Sequence, residues 1–150
     1  MAGYCWPWTS KKDSKAFDIV IGTDYQRRWN LVVDGSLWII APNSINEVGC
    51  IHTCQGLEVE YIGVIVGPDL VVRDGKVVTV PSARARHDKT LHGYKSRFKV
   101  DPKKATDEAD LIIKNTYRTL MTRGMKGCYV YCSDAETADY FRSRLHVKAP

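Results

Sequence analysis

No stretch of this sequence approaches the ~18 consecutive apolar residues that a membrane span needs, so a bilayer-crossing helix is excluded by pattern. The opening Met1-Ala2-Gly3-Tyr4-Cys5-Trp6-Pro7-Trp8 has neither a basic n-region nor an apolar h-region, and no secretory leader is expected. Cysteine is sparse and odd in number. The five residues include no C-x-x-C pair, which argues against a disulfide framework or zinc finger and for a reducing, cytoplasmic setting. No internal repeat is visible. What remains is a 150-residue chain, 44% hydrophobic and 26% charged, with enough apolar material for one domain, 1–150, built on a real core.

Charge is unevenly placed. The net +5 is accounted for by residues 82–99, where Arg84, Arg86, Lys89, Lys95, Arg97 and Lys99 face one acid, Asp88. The rest of the chain balances. This segment reads as a basic loop insertion, with His87 and His92 inside it, and such a patch suits a polyanion. A merely solvated loop carries the same composition.

Strand signals dominate the first half. Asp18–Gly22 is a short apolar run, and Asp34-Gly35 marks a turn before Ser36–Ile40, where β-branched and aromatic residues favour a strand. Glu47–His52 is the next predicted strand. Tyr61–Val66 is apolar nearly throughout, the pattern of a strand buried on both faces. Asp74-Gly75 between Leu70–Arg73 and Lys76–Val80 is a strong hairpin signal. The period then changes. Asp101 and Pro102 form a helix start, and Ala105, Ala109, Ile112, Ile113, Thr116, Tyr117 and Leu120 trace a buried stripe. Gly127–Cys132 is a further strand, and Ser133-Asp134-Ala135-Glu136 reads as a capping box for a helix burying Ala138, Phe141 and Leu145. Strands interleaved with helices predict an α/β fold with a mostly parallel sheet, a β-hairpin and the basic insertion.

Two stretches have the grammar of a reactive site. In Gly49-Cys50-Ile51-His52-Thr53-Cys54-Gln55-Gly56-Leu57-Glu58 a strand ends in a tight turn with a glycine that lets backbone amides approach phosphates. The carboxylate just beyond, Glu58, can accept from a sugar hydroxyl. In Thr116-Tyr117-Arg118-Thr119-Leu120-Met121-Thr122-Arg123-Gly124 an arginine ends a helix beside a glycine turn, poised to reach across a cleft. Cys50, His52 and Cys54 alternate along the predicted strand but lack a fourth metal ligand and an orienting acid. Trp6, Trp8, Trp29 and Trp38 suit a core, an interdomain face or stacked bases.

Together the two stretches resemble the fifth and sixth motifs of superfamily 1 helicases. Their wording is closest to a bacterial family of helicase-like P-loop ATPases related to the helicase part of Schlafen proteins, and the N-terminal AGYCWPW segment is similar to that family too. The resemblance spans nearly the whole chain. It implies a C-terminal RecA-like lobe of a two-lobed ATP-dependent DNA or RNA helicase or translocase. In that reading Gly56 lies at the ATP phosphates, Glu58 holds the ribose, and Arg123 is the arginine finger on the γ-phosphate. His52, Thr53 and Gln55 link nucleic-acid backbone to the nucleotide cleft, while Arg84, Arg86, Lys95 and Arg97 contact phosphates. ATP and Mg2+ would bind only with an upstream RecA-like lobe of the same polypeptide. The chain has no G-x-x-x-x-G-K-[ST] and no acidic metal motif after a strand, so hydrolysis by this chain alone is not expected. Departures are Gly124 in place of the usual alanine, Cys54 in place of a commoner Ser, Ala or Lys, and no convincing fourth-motif arginine, for which Arg27 and Arg28 are weak candidates. The alternative is a RecA-like fold without turnover that serves as a nucleic-acid or protein binding module.

Overall fold

The computed structural model describes residues 1–30 and 38–145. The chain runs through β1 (Ile19–Ile21), β2 (Tyr25–Trp29), β3 (Glu47–Val48), β4 (Val59–Val66), β5 (Leu70–Arg73) and β6 (Lys76–Thr79). It continues through α1 (Tyr94–Val100), α2 (Pro102–Met121), β7 (Gly124–Cys132) and α3 (Ala135–Leu145). The architecture is α/β, assembled from small sheets: β1-β2-β3, β4-β7 and the β5-β6 hairpin. The β2–β3 and β4–β7 pairs are parallel, and the β1–β2 and β5–β6 pairs antiparallel.

The N-terminal residues join the sheets, which composition did not foretell. Ala2 N donates to Gly49 O at 3.0 Å, and Ile65 N donates to Met1 O at 2.9 Å. Gly3 N donates in turn to Ile65 O at 3.2 Å. Residues 1–3 therefore lie between the end of β3 and the middle of β4 and run parallel to β4. Gly3 is required there, because a β-carbon would come within 2.0 Å of the Tyr117 hydroxyl.

The hairpin forms as its sequence dictates. Asp74 and Gly75 take φ of 52° and 70°, the two left-handed residues of a type I′ turn. Helix α2 also follows its pattern. Asp101 accepts from Lys104 N at 3.0 Å as the N-cap, Pro102 opens the helix, and Ala105, Ala109, Ile113, Thr116, Tyr117 and Leu120 are buried. Ala109, Ile113, Tyr117 and Leu120 form a core cluster with Cys54, Ile62, Val64, Val66, Leu70 and Leu91. A second cluster gathers Ala2, Tyr4, Ile19, Trp29, Val48, Cys50 and Ala85, with Tyr4 stacked on Trp29 at 5.2 Å between ring centroids.

Several expectations need correction. The Asp34-Gly35 turn and residues 36–37 of the predicted 36–40 strand lie outside the described residues. Trp38–Ile40 is a single 3-10 turn. Pro42 blocks extension there, and the Trp38 indole N–H is drawn to Glu47 Oε2 at 2.7 Å. The Glu47–His52 strand stops at Val48, because Thr53 N and Cys54 N both bond back to Cys50 O and wind the chain into a turn. β4 is fully buried on one face only, with Ile65 on the other face half-buried against the second cluster around Trp29. Ile62, Val64 and Val66 point into the α2 core while Tyr61 is exposed, since α2 covers one side of the strand. Residues 82–99 are not a loop throughout, for α1 occupies the second half. The α3 cap is Asp134 rather than a Ser133 box: Asp134 Oδ1 accepts Thr137 N at 2.9 Å, and Glu136 instead takes Asp74 N at 3.1 Å. Thr137 is the buried residue of α3, and Leu145 is exposed.

Candidate functional site

The first candidate stretch folds as a compact turn between β3 and β4. Thr53 Oγ1 donates to Cys50 O and accepts from Cys50 N, both at 2.9 Å, so this hydroxyl is occupied in closing the turn. Cys50 and Cys54 point inward, and the Cys54 thiol donates to Ile51 O at 3.2 Å. His52, Gln55, Gly56 and Glu58 are exposed. Cys50, His52 and Cys54 thus do not share a strand face. Among the described residues no three His, Cys, Asp or Glu side chains come together as a metal site. Gly56 has φ +75° and no atom within 4 Å of where a β-carbon would stand, which leaves its backbone open to close approach.

Sheet pairing brings the second stretch to the first. β4 and β7 pair with Val59 opposite Gly124, so Glu58 and Arg123 stand one position before the paired residues, and Val59 N donates to Arg123 O at 3.0 Å. Burial raises the Cys54 thiol pKa, then Cys50 adds to it, and the Arg123 charge acts in the opposite sense. The guanidinium therefore lies within electrostatic range of the turn. Arg123 Nε is buried and has no hydrogen-bond partner, and no carboxylate among the described residues pairs with this side chain. A buried donor left open in this way is costly unless something else accepts from it.

The Gly124 departure has a local cause. The register advances by two residues on β4 while β7 advances by three, from Gly124 to Gly127, which is a bulge. A β-carbon on Gly124 would sit 2.2 Å from Gly127 O.

The basic segment is less uniform than its charge count. Arg84 is removed from the phosphate-contact group: its side chain is 2% exposed, with Nη1 on Asp69 at 3.0 Å and Nε on Asp88 at 2.7 Å. Burial opposes the Arg84 charge, and Asp88 and Asp69 more than offset it, so its pKa is raised. Asp69 also accepts a short hydrogen bond from the Tyr117 hydroxyl, which in turn accepts Gly67 N at 2.9 Å. Burial, then the neighbouring Cys5 and Asp69, pushes the Tyr117 phenol well above its ordinary range. The i,i+4 spacing of Arg84 and Asp88 was the available signal for this network, while Asp69 and Tyr117 had none. Arg86 and Lys95 remain exposed on a cleft of about 520 Å³ that is also lined by His92. Arg97 is exposed too, at 3.3 Å from Glu108.

The family model described as Schlafen group 3, DNA/RNA helicase domain, matches residues 1–134. The chain belongs to this Schlafen group 3 family. The Schlafen chain is also 29% identical over 140 residues to a Saccharomyces cerevisiae protein, "Uncharacterized protein YPL245W", covering 91% of this chain and 29% of the yeast protein. It thus spans under a third of that relative's length. No solved structure matches it. The Schlafen relationship expected from the motifs is therefore established, whereas the expected bacterial family draws no support from a yeast relative. No described helix of this Schlafen domain is long and apolar enough to cross a membrane.

Proposed function

We propose that this Schlafen domain is the second, RecA-like motor lobe of an ATP-dependent DNA or RNA helicase or translocase. The observation that carries the reading is the meeting of Arg123, with its buried and unpartnered Nε, and the open Cys50–Gly56 turn. A guanidinium without an acid beside it and a glycine with free space around it are what one flank of a polyphosphate site needs. ATP with Mg2+, bound jointly with an upstream lobe, would supply the phosphoryl group. Arg123 would donate to the γ-phosphate oxygens, Gly56 would leave room for the phosphates, and Glu58, exposed and unpaired, would accept from the ribose hydroxyls. His52 and Gln55 are exposed at the same turn and would face nucleic-acid backbone, as would Arg86, Lys95 and Arg97. Thr53 would act by holding the turn.

The test is steady-state ATPase on the full-length protein. Donors aimed at charge that develops during transfer lower the barrier more than they bind substrate, so Arg123→Ala should cut kcat by about 10³-fold or more with little change in KM. Arg123→Lys should rescue little, because the ammonium lacks the planar fork. Glu58→Gln should mainly raise KM. A folded Arg123→Ala protein with near-normal kcat defeats the finger assignment, and a full-length protein without any nucleotide turnover favours the binding module.

A further inference from the structure

We propose a second, separate contact surface for single-stranded nucleic acid on the β1–β2 end of the sheet, formed by Lys11, Lys12, Lys15, Phe17, Arg27 and Arg28. Residues 8–28 carry five bases and three acids interspersed along the sequence. Folding separates the two signs. Asp18 is buried and spent on Ser10 N at 2.8 Å and Trp29 N at 2.9 Å. The five cations stay at or near the surface, beside the exposed Asp13 and Asp24 and, next to Arg28, Glu47.

Aromatic rings are interleaved with these cations. Lys11 Nζ lies 3.9 Å from the centroid of the Trp8 ring, the Arg27 guanidinium 5.1 Å from Tyr25, and the Arg28 guanidinium 5.3 Å from Phe17. Cations seated on rings keep their edge N–H groups directed outward and lose little freedom on binding. Arg28 is further fixed by Nε donating to Ala16 O at 3.1 Å, and Arg27 by Nη1 donating to Gln26 O at 2.9 Å.

Beside Phe17 and the two arginines is a polar cleft of about 430 Å³, lined also by Gln26, Asn43, Asn46 and Glu47. Phe17 is 45% exposed, a large ring left in water beside three amide side chains. An acidic peptide would use the cations and leave the ring and amides idle. A strand of nucleotides uses all three: phosphates on the guanidinium edges and lysines, a base on Phe17, and base edges on the amides. The inference does not depend on the ATP reading, since it needs no nucleotide cleft and no second lobe.

The experiment is fluorescence anisotropy of the full-length protein with labelled dT15 and rU15 oligonucleotides across a salt series. Lys11→Gln/Lys12→Gln/Lys15→Gln, all at exposed positions, should weaken binding and flatten the salt dependence by about 0.7 per lost phosphate contact. Phe17→Ala should weaken binding about fivefold or more while leaving the slope unchanged, the signature of a lost stack. Phe17→Leu keeps the bulk and should bind as poorly as Phe17→Ala. Parent-like affinity and slope in all three variants overturns the proposal. Binding abolished by Arg86→Gln/Lys95→Gln alone, with these variants silent, overturns it too and assigns the contact to the other cleft. Competition by polyglutamate as effective as that by unlabelled oligonucleotide identifies an acidic protein partner and likewise overturns it.

Discussion

Replacing Arg84 with glutamine should unfold this protein more readily than any change to its exposed cations. The side chain sits at 2% exposure between Asp69 at 0% and Asp88 at 1%, with hydrogen bonds of 3.0 and 2.7 Å to them. Removing the cation leaves two buried carboxylates facing each other, with Thr90 and Tyr117 as their remaining donors. Breaking a buried pair from one side costs about 3–5 kcal/mol, a large share of the roughly 5–15 kcal/mol that holds a domain together. At about 2–4 °C per kcal/mol for a chain of this size, the midpoint should fall by about 6–20 °C. Thermal unfolding followed by circular dichroism reads it directly. Arg86→Gln is the control, two residues away and exposed, and should stay within about 0.5 kcal/mol of the parent. An Arg84→Gln midpoint equal to that of Arg86→Gln would show that the pair is solvated and that Arg84 is free for phosphate after all.

Gly124→Ala restores the residue common in superfamily 1 helicases, yet it should destabilise this chain by about 1–3 kcal/mol, because the new methyl meets Gly127 O across the bulge at 2.2 Å. Gly63→Ala, with open space around its β-carbon, should be neutral, and urea titration of the two variants reads the difference. Asp134 carries the pH prediction. Hydrogen bonds from Arg73, then from Thr137, hold its pKa well below the usual carboxylate range. A depressed folded pKa contributes stability that is complete above the unfolded value near ~4 and is lost as pH falls from there through the folded value. Asp134→Asn should therefore flatten the acid limb of a stability-versus-pH curve below about pH 5 and leave its shape at neutral pH unchanged. An unaltered acid limb would show that the cap and the Arg73 pair do not persist in solution.

Legibility in the sequence followed the range of the interactions. Helix α2 and the β5–β6 hairpin are set by neighbours within a few positions: the Asp101 cap, a stripe at i, i+3 and i+4, and two left-handed residues in a row. Those were readable. The turn at Cys50–Gly56 was readable as a turn only from Thr53 to Gly56, because Cys50, Ile51 and His52 carry the composition of a strand. A count of charges carries no information on burial, which is why it counted Arg84 among the surface cations, and its partner Asp69 comes from the turn between β4 and β5. The pairing that places Arg123 beside Glu58 could be inferred only by resemblance, since the register of two parallel strands about 65 residues apart is written in their packing and not in either segment. Residues 1–3 gave no strand signal because their slot is created by β3 and β4.

That slot has a kinetic consequence. Joining residues 1–3 to Ile65 closes a loop of about sixty residues, an entropic toll on the order of 3.7 kcal/mol before any contact is gained, against almost none for the two-residue β5–β6 turn. Long-range pairings of this kind are slow. The two apolar clusters, one under α2 and one around Trp29, can each begin to collapse alone, and residues 1–3 are the seam that registers them. Folding of this domain is then a matter of assembling two halves and zipping them last. Pulse-labelling hydrogen exchange should find the Ile65 amide protected later than that of Val71, whose strand partner Val78 is only seven residues away, and simultaneous protection would mean that the halves never exist apart.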